Sequence, residues 1–264
     1  VNSVSGALEL EDNKLQMEIY IDRSLVEAFF NDTKSITINP MDNCLEYVVW
    51  DDGIEITNCV HDYEGELIIP AFIDGYPVTS IGENAFSHCY SLTSITIPDS
   101  VTSVGYYAFS YCESLTSITI PNSVTSIDSS VFKGCTSLNS ITVDSANKNY
   151  SSVDGVLFNK AKTELICYPA GKSSKSYTIP NSVTCIGDYA FCDCTSLTSI
   201  TFPDSVTSIG NGAFNGCDSL TSLTIPDSVT GIGDYAFYSC DSLISITVPD
   251  SVTGIGDYAF YSCD

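Results

Sequence analysis

The sequence DSLTSLTIPDSVTGIGDYAFYSC at residues 218–240 is followed at once by DSLISITVPDSVTGIGDYAFYSC at residues 241–263. The two stretches differ at only three positions. Self-similarity at a fixed step of 23 residues (241 minus 218) predicts a solenoid, in which one small coil is repeated and stacked. A catalytic residue is expected once in a chain, whereas the residues of this repeat recur in successive coils. The repeat therefore favours a long contact surface over a single reactive centre.

One coil, SLTSITIPDSVTSVGYYAFSYC at residues 91–112, shows how the chain is expected to turn. Ile95 and Ile97 are two residues apart, so they face the same side of a short strand. Pro98 cannot donate a hydrogen bond to a neighbouring strand, and we expect it to end this one. The segment that contains Phe109 is expected to form a single helical turn that closes the coil.

The SLTSITIP, SVTSIG and AF…C segments of these coils carry a resemblance to a known family. Over about residues 44–264 they resemble the leucine-rich repeats of BspA-like bacterial surface proteins. The coils that match contain Phe86, Phe109, Phe132, Phe191, Phe214, Phe237 and Phe260. The resemblance implies a leucine-rich repeat solenoid of 23-residue repeats, mostly β with short helical turns. It also implies a secreted or surface-attached bacterial module for adhesion and interaction.

The charge of the chain is strongly one-sided. Nine Lys and Arg residues stand against 33 Asp and Glu residues, so the formal net charge is −24, and residues 176–264 contain no Lys, Arg or His. Binding to nucleic acid or to anionic lipid headgroups requires cationic side chains. We therefore expect neither nucleic acid nor an anionic membrane surface as a partner, and a protein or a glycan instead. No apolar run approaches the roughly 20 residues that cross a bilayer.

The twelve cysteines would suggest disulfides or a metal site, but their spacing indicates a packing role. Those that follow the 23-residue step are Cys89, Cys112, Cys135, Cys194, Cys217, Cys240 and Cys263. They are predicted to form a column in the core, about 4.8 Å apart. We favour a ladder of buried thiols, which behave as small apolar residues; disulfides between coils are the alternative. No CxxC pair occurs and the chain has two histidines, so we expect no metal or other cofactor.

Residues 1–42 do not repeat, and their alternating apolar residues predict a few strands. Within residues 14–40, the stretch DRSLVEAFFND resembles the end of the C-terminal β-sandwich of glycoside hydrolase family 32, the invertase, inulinase and levanase group. The matching residues are Asp22, Arg23, Ser24, Val26, Glu27, Phe29, Asn31 and Asp32. The resemblance implies a parent enzyme that hydrolyses fructan or sucrose. The WMNDPNG-like, RDP and Glu-Cys motifs of that family do not occur in this sequence, so we assign no catalytic residue.

Residues 43–66 are predicted to cap the first coil. The stretch LEYVVW-DDG-IEIT is a hairpin signal with Asp52 and Gly53 in the turn, and a terminal repeat needs such a cover. At the other end, Asp264 stops at the end of a coil, and a bare sheet edge invites pairing. We therefore expect the natural chain to continue.

The repeats are predicted to occupy residues 67–264, with a hairpin insertion at 144–180 where the period fails. The hairpin strands are expected at 156–158 and 165–168. Four of the nine basic residues lie in or just after this hairpin: Lys160, Lys162, Lys172 and Lys175. This less acidic patch is either a contact site or a longer, solvated coil.

Two sets of outward residues are candidates for binding a partner. The outward positions of the first strand carry hydroxyls: Ser94, Thr96, Ser117, Thr119, Ser199, Thr201, Ser222, Thr224, Ser245 and Thr247. Such a ladder can bind sugars, proteins or ordered water, although small polar residues also simply tolerate an exposed sheet. Tyr189, Tyr235 and Tyr258 share a second slot, with Tyr107 in an earlier coil. Tyrosines can stack on sugar rings or anchor a partner, and packing between coils explains them equally well.

Together these features predict a non-catalytic binding or adhesion module, secreted or on the bacterial cell surface, attached to a fructan-active glycosidase. One alternative is that the chain belongs to a β-fructosidase enzyme such as a levanase or invertase. A second alternative is a structural spacer without a ligand.

Overall fold

The computed structural model describes residues 36–38, 44–59 and 63–263, and it confirms the predicted solenoid. Each coil contributes to two sheet faces and to one face of turns. Numbered along the chain, the first sheet face contains β4 (Gly65–Ile68), β7 (Leu92–Thr96), β9 (Ser117–Ile120), β11 (Ser140–Val143), β15 (Ser176–Thr178), β17 (Ser199–Thr201), β19 (Ser222–Thr224) and β21 (Ser245–Thr247). The second contains β6 (Tyr76–Ile81), β8 (Ser103–Val104), β10 (Ser126–Ile127), β14 (Glu164–Cys167), β16 (Cys185–Ile186), β18 (Ser208–Ile209), β20 (Gly231–Ile232) and β22 (Gly254–Ile255). The other strands are β1 (Ile36–Ile38), β2 (Leu45–Trp50), β3 (Gly53–Cys59), β5 (Phe72–Ile73), β12 (Tyr150–Val153) and β13 (Val156–Asn159).

Where strands of successive regular coils pair, they do so in parallel and at the 23-residue step. β17 and β19 are the exception, since they do not pair as strands, and on this face Thr221 N–H donates to Thr198 O at 3.4 Å. On the first face Ser94 pairs with Ser117, and Ser117 pairs with Ser140. On the second face Ile186 pairs with Ile209 in the same 23-residue step. Identical positions of neighbouring coils therefore lie side by side, and each position of the repeat becomes a column along the solenoid.

The third face consists of turns, so the predicted helical turn is wrong: residues 36–38, 44–59 and 63–263 contain no helix. Two positions in each regular coil have a left-handed backbone, for example Tyr107 with φ 54° and Tyr111 with φ 57°. A right-handed helix needs φ near −63° at successive residues, so these positions prevent one. The backbone groups bond between coils instead, as where Phe86 N–H donates to Ala108 O at 2.8 Å.

The left-handed positions form two columns on this turn face. The first column is Asn84, Tyr107, Ser130, Tyr189, Gly212, Tyr235 and Tyr258, and the second is His88, Tyr111, Gly134, Asp193, Gly216, Ser239 and Ser262. Most of these residues carry a Cβ, which makes a left-handed backbone unfavourable by roughly 1–2 kcal/mol. The packing of the coils therefore holds the turns in a conformation that most of their residues disfavour alone.

Stacked phenylalanines fill the core behind the turn face. Phe86, Phe109, Phe191, Phe214 and Phe237 are all completely buried. Neighbouring rings lie with centroids 5.2 Å apart at Phe86 and Phe109 and 5.1 Å apart at Phe214 and Phe237, nearly parallel in both cases. Each ring thus packs against its own copy in the next coil, and one coil alone would leave both ring faces exposed.

The cysteine column lies beside these rings, and no disulfide joins Cys89, Cys112, Cys135, Cys194, Cys217 or Cys240. From Cys112 onward these thiols make a contact that spacing alone did not reveal, because each donates a hydrogen bond to the carbonyl of the aromatic residue one coil earlier. The pairs include Cys112 with Phe86 at 3.1 Å, Cys135 with Phe109 at 3.0 Å, Cys217 with Phe191 at 3.1 Å and Cys240 with Phe214 at 3.2 Å. The thiols therefore both fill space and satisfy buried carbonyl groups.

The first coil is covered by a hairpin. β2 and β3 pair in antiparallel fashion, β1 pairs with β2, and β3 pairs in parallel with β6. The turn is formed by Asp51 and Asp52, and Gly53 already pairs with Trp50. The other strands predicted within residues 1–42, and the glycosidase-like motif at 22–32, lie outside the described residues.

One coil is longer than the others. Tyr168 takes the next place in the phenylalanine column after Phe132, 36 residues on (168 minus 132) instead of 23. Its ring lies 5.3 Å from that of Phe191, and its N–H donates to Ala190 O as the N–H of Phe191 does to Ala213 O. The added length holds an antiparallel arrangement of β12, β13 and β14, and β14 then pairs in parallel with β16. Strands expected at 156–158 and 165–168 are present at Val156–Asn159 and Glu164–Cys167.

The core thiols should be unreactive in the native protein. Burial raises the pKa of the Cys135, Cys194 and Cys217 thiols well above the ordinary value, so little thiolate is present near neutral pH. We expect iodoacetamide at pH 8 to modify these residues more than roughly a hundredfold more slowly in the folded protein than in urea, because reaction requires the coils to open. Mass spectrometry after timed labelling measures each site, and rapid native labelling of Cys217 would contradict the buried column.

Relief of one left-handed position should stabilise the solenoid. Ser239 has φ 54°. We expect Ser239→Gly to raise the free energy of unfolding by roughly 0.5–1 kcal/mol. This gain is smaller than the full cost of a left-handed residue with a Cβ, because glycine has more conformational freedom in the unfolded chain. The control is Gly216→Ala in the same column, where φ is 71° and the new Cβ would lie 2.6 Å from Asp193 Oδ1. It should lower the stability by at least about 1 kcal/mol. Urea unfolding followed by circular dichroism compares the two, and a destabilised Ser239→Gly would refute this account.

Candidate functional site

The outward hydroxyls of the first sheet face form one continuous motif in the regular coils. The sequence Ser-x-Thr begins at Ser94, Ser117, Ser140, Ser176, Ser199, Ser222 and Ser245 and ends at Thr96, Thr119, Thr142, Thr178, Thr201, Thr224 and Thr247. We call this set the hydroxyl face. It contains the serines and threonines proposed from the sequence and adds Ser140, Thr142, Ser176 and Thr178, which that reasoning missed. These four flank the insertion, and the signal that could have found them is the period itself, since each lies 23 residues from its partner in the neighbouring regular coil.

The strand pairing brings these residues into two straight rows. Ser222 pairs with Ser245 and Thr224 pairs with Thr247, while Leu223 between them points into the core. Neighbouring hydroxyls along a row are therefore one strand spacing apart, about 4.8 Å, and the two rows are about 7 Å apart. All seven threonines are exposed, as are Ser117, Ser176, Ser199, Ser222 and Ser245. The result is a flat, uncharged surface with regularly spaced donors and acceptors.

A different set of threonines has a structural role. The Thr102 hydroxyl donates to Thr79 O at 3.2 Å, and the hydroxyls of Thr207 and Thr230 donate to the carbonyls of Thr184 and Thr207. These residues join neighbouring coils through their side chains. By contrast, no hydroxyl of the hydroxyl face bonds to another residue in the described part of the chain. The exposed hydroxyls among them are thus available for an external ligand.

The insertion divides the hydroxyl face into two segments. Ile141 N–H donates to Gly155 O at 2.9 Å, so the tip of the β12–β13 hairpin lies beside β11. A Cβ at Gly155 would approach Ser140 Oγ to 2.8 Å, which shows how closely the tip covers this serine. The rungs at 94, 117 and 140 therefore form one segment, and the rungs at 176, 199, 222 and 245 form another.

The tyrosines that share one slot do not share one environment. Tyr235 and Tyr258 stack with ring centroids 5.3 Å apart, as their spacing predicts. Tyr189 is separated from them by Gly212, against which its own ring packs, since a Cβ at that glycine would lie 2.4 Å from Tyr189 Cε1. Tyr189 belongs instead to a cluster that crosses the insertion.

Lys133 is the centre of that cluster. Its Nζ lies 4.8 Å from the ring centroid of Tyr189, 5.7 Å from that of Tyr107 and 6.0 Å from that of Tyr111. An ammonium at these distances from several rings is attracted by their negative faces. Sequence reasoning overlooked Lys133 because it lies outside the hairpin to which most of the other lysines belong.

A cleft of about 230 Å³ marks the break in the second sheet face, between β10 and the insertion. Its walls include Ile127, Tyr150, Glu164 and Asp188. Tyr150 Oη accepts a hydrogen bond from Ile127 N–H at 2.7 Å and so links the insertion to the preceding coil. Burial raises the pKa of the Glu164 carboxyl, and the nearby charge of Asp188 raises it further. The cleft thus holds one carboxylate at an energetic disadvantage near neutral pH.

Two further features bear on chemistry. Within residues 36–38, 44–59 and 63–263, no group of three or more His, Cys, Asp or Glu side chains is arranged to hold a metal ion. Over the same ranges, no helix has the length and apolar character required to cross a bilayer.

Comparison with known proteins identifies the repeats. A family model described as the BspA type leucine rich repeat region, in six copies, matches residues 69–171 and 166–264. No curated protein matches the chain. Among solved structures, a leucine rich cell surface protein from Faecalibacterium prausnitzii is 23% identical with a TM-score of 0.55, and the match covers 88% of this chain and 93% of that one.

Two other solved structures have the same fold. The pneumococcal vaccine antigen PcpA is 20% identical with a TM-score of 0.54, and the match covers 87% of this chain and 86% of that one. A leucine-rich repeat protein from Bacteroides ovatus is 30% identical with a TM-score of 0.53 over 88% of this chain. The chain spans 56% of the length of that protein.

Removal of the charge at Glu164 should stabilise the fold above mildly acidic pH. The pKa of Glu164 is higher in the folded protein than its ordinary value of about 4.3 in the unfolded chain. At a pH between these two pKa values, the folded protein therefore keeps a proton on Glu164 that the unfolded chain has lost. Stability therefore falls as the pH rises through this window. We expect Glu164→Gln to raise the Tm at pH 7 and to leave it almost unchanged at pH 3.5.

The matched control for this prediction is Glu113→Gln, which removes an equal charge from an exposed position of a regular coil. Differential scanning calorimetry from pH 3.5 to 8 gives both profiles. An equal rise of the Tm at pH 7 in the two variants would show that general charge repulsion, and not the cleft, is responsible.

Proposed function

The chain belongs to the BspA-type leucine-rich repeat family, and on this basis we propose that it is a non-catalytic binding module of a bacterial cell-surface or secreted protein. Its ligand is a neutral glycan or protein surface, and its binding site is the hydroxyl face. The observation that carries the proposal is the division between two kinds of threonine. Threonines that directly precede a strand, on either sheet face, bond to the neighbouring coil, as Thr102 and Thr116 do. Those of the hydroxyl face are exposed and have no bonding partner among the described residues.

The chemistry of the face fits such a ligand. A hydroxyl both donates and accepts hydrogen bonds, so a row of hydroxyls can match either the hydroxyls of a sugar or the polar groups of a protein. Small side chains on a rigid sheet lose little conformational entropy on binding. The surface-protein character of the Faecalibacterium relative supports placement at the cell surface.

We also propose that the parent protein is a fructan- or sucrose-hydrolysing glycosidase that carries this module. The support is the DRSLVEAFFND stretch at residues 22–32. The motifs of the catalytic domain do not occur in this sequence, so the proposal concerns the parent protein and not this chain. The coding sequence before Val1 tests the proposal: a WMNDPNG-like motif there would support it, and a further repeat array would contradict it. The chain itself should not hydrolyse sucrose or inulin.

Binding through the hydroxyl face can be tested with one added lysine. Thr201→Lys places a long, charged side chain in the centre of the second segment without touching the core. We expect it to weaken binding to immobilised glycans or host and bacterial surface proteins by roughly tenfold or more, about 1.4 kcal/mol, through steric exclusion. Glycan arrays and surface protein pull-downs with quantified binding provide the measurement.

The matched control is Thr136→Lys, which makes the same change at an exposed threonine outside the hydroxyl face and away from the last coils. It should bind as the unmodified chain does. Equal weakening by the two variants would place the site elsewhere. If the chain bound nothing in the glycan arrays or in the pull-downs, it would be a spacer.

A further inference from the structure

Four tyrosines form a block on the turn face of the last two described coils. Tyr235 stacks on Tyr258 at 5.3 Å, and Tyr238 stacks on Tyr261 at 5.5 Å. The two rows also touch, with Tyr235 and Tyr238 centroids 5.7 Å apart. Tyr235, which is covered on one side by the next coil, is still 39% exposed. We call these four residues the tyrosine block.

Two columns of aspartates accompany the tyrosine block in the repeat. Asp234 and Asp257 directly precede Tyr235 and Tyr258, while Asp218 and Asp241 directly follow the buried Cys217 and Cys240. All four aspartates are exposed. No Lys, Arg or His occurs anywhere in residues 176–264, so this acidic surface has no cation within its own coils.

The carboxylates of the second column influence one another. Partial burial raises the pKa of Asp218, and the charges of Asp241 and Asp193 raise it further. Stacking of the coils holds these groups together despite their repulsion. A cation placed along the column would relieve that repulsion.

The same face already binds an ammonium group of this chain. Lys133 directly follows Phe132, in the slot that Tyr238 and Tyr261 fill after Phe237 and Phe260. Its Nζ lies among three tyrosine rings, the nearest at 4.8 Å. In the earlier coils the chain's own Lys133 supplies the cation. The last coils contain tyrosines and carboxylates but no Lys, Arg or His.

We propose that the tyrosine block and its two aspartate columns bind a lysine- or arginine-rich segment of another protein. The ring face of Tyr235 on the side of Gly212, which has no side chain to cover it, and the tyrosine hydroxyls would contact the cationic groups, and the aspartates would neutralise them. A sugar ring fits this site less well, because face-to-face stacking of the tyrosines covers the ring surfaces that a sugar needs. The site is separate from the hydroxyl face, so it provides a second and electrostatically different contact.

The test uses the full chain and a fluorescently labelled octalysine peptide, with an octaglutamate peptide as the negative probe. Fluorescence anisotropy should show binding of octalysine alone, and the binding should weaken at 0.5 M salt. Asp218→Asn with Asp241→Asn should weaken it by roughly three- to tenfold. Tyr235→Leu should weaken it by roughly two- to fivefold, and Tyr235→Phe, which keeps the ring, by less than about twofold.

The matched control is Asp204→Asn with Asp227→Asn, which removes the same charge from exposed turns after the first strand. This control should change the affinity by less than about twofold, since those carboxylates are away from the tyrosines. Equal weakening by the two double variants would show unspecific attraction and overturn the proposal, as would octalysine binding that Tyr235→Leu does not alter. Tyr261→Leu serves as a second ring variant if circular dichroism shows that Tyr235→Leu is unfolded.

Discussion

The register of the parallel strands is the constraint on which the rest of the structure depends. Each position of a coil meets its own copy in the next coil, so a favourable contact is repeated along the array and so is an unfavourable one. The phenylalanines stack because of this register, and the thiols of the cysteine column from Cys112 onward reach a carbonyl of the preceding coil because of it. A slip of one residue would turn the core side chains outward on every strand. The solenoid is therefore stable only when all columns agree.

Much of this arrangement could be predicted from the spacing alone. A residue that recurs every 23 positions must lie in a column, so the buried cysteines, the phenylalanines and the outward serines and threonines could be placed without a structure. The turn face could not, because left-handed backbone is normally signalled by glycine or asparagine, whereas residues such as Tyr107 and Tyr235 adopt it here. Nor could the sequence separate bonding threonines from unbonded ones, since only the position of a neighbouring carbonyl distinguishes Thr207 from Thr201.

The insertion is the place where the period loses its predictive power, and it also makes the molecule asymmetric. Spacing groups Tyr189 with Tyr235, but the structure joins Tyr189 to Lys133 and Tyr107 on the other side of the long coil. The hairpin tip beside β11 likewise ends one segment of the hydroxyl face and begins another. The cleft at Glu164 and the Lys133 cluster, which each occur once, lie at or beside this break.

The equal rungs of the hydroxyl face have a statistical consequence for recognition. Under the proposed function, a ligand that spans two rungs would meet the same strand-paired arrangement at 176–199 and at 222–245. Two equivalent positions would favour the bound state by RT ln 2, about 0.4 kcal/mol at room temperature, without any additional contact. Repetition of the coil would thus give the surface degenerate binding registers, whose number grows with every pair of rungs added.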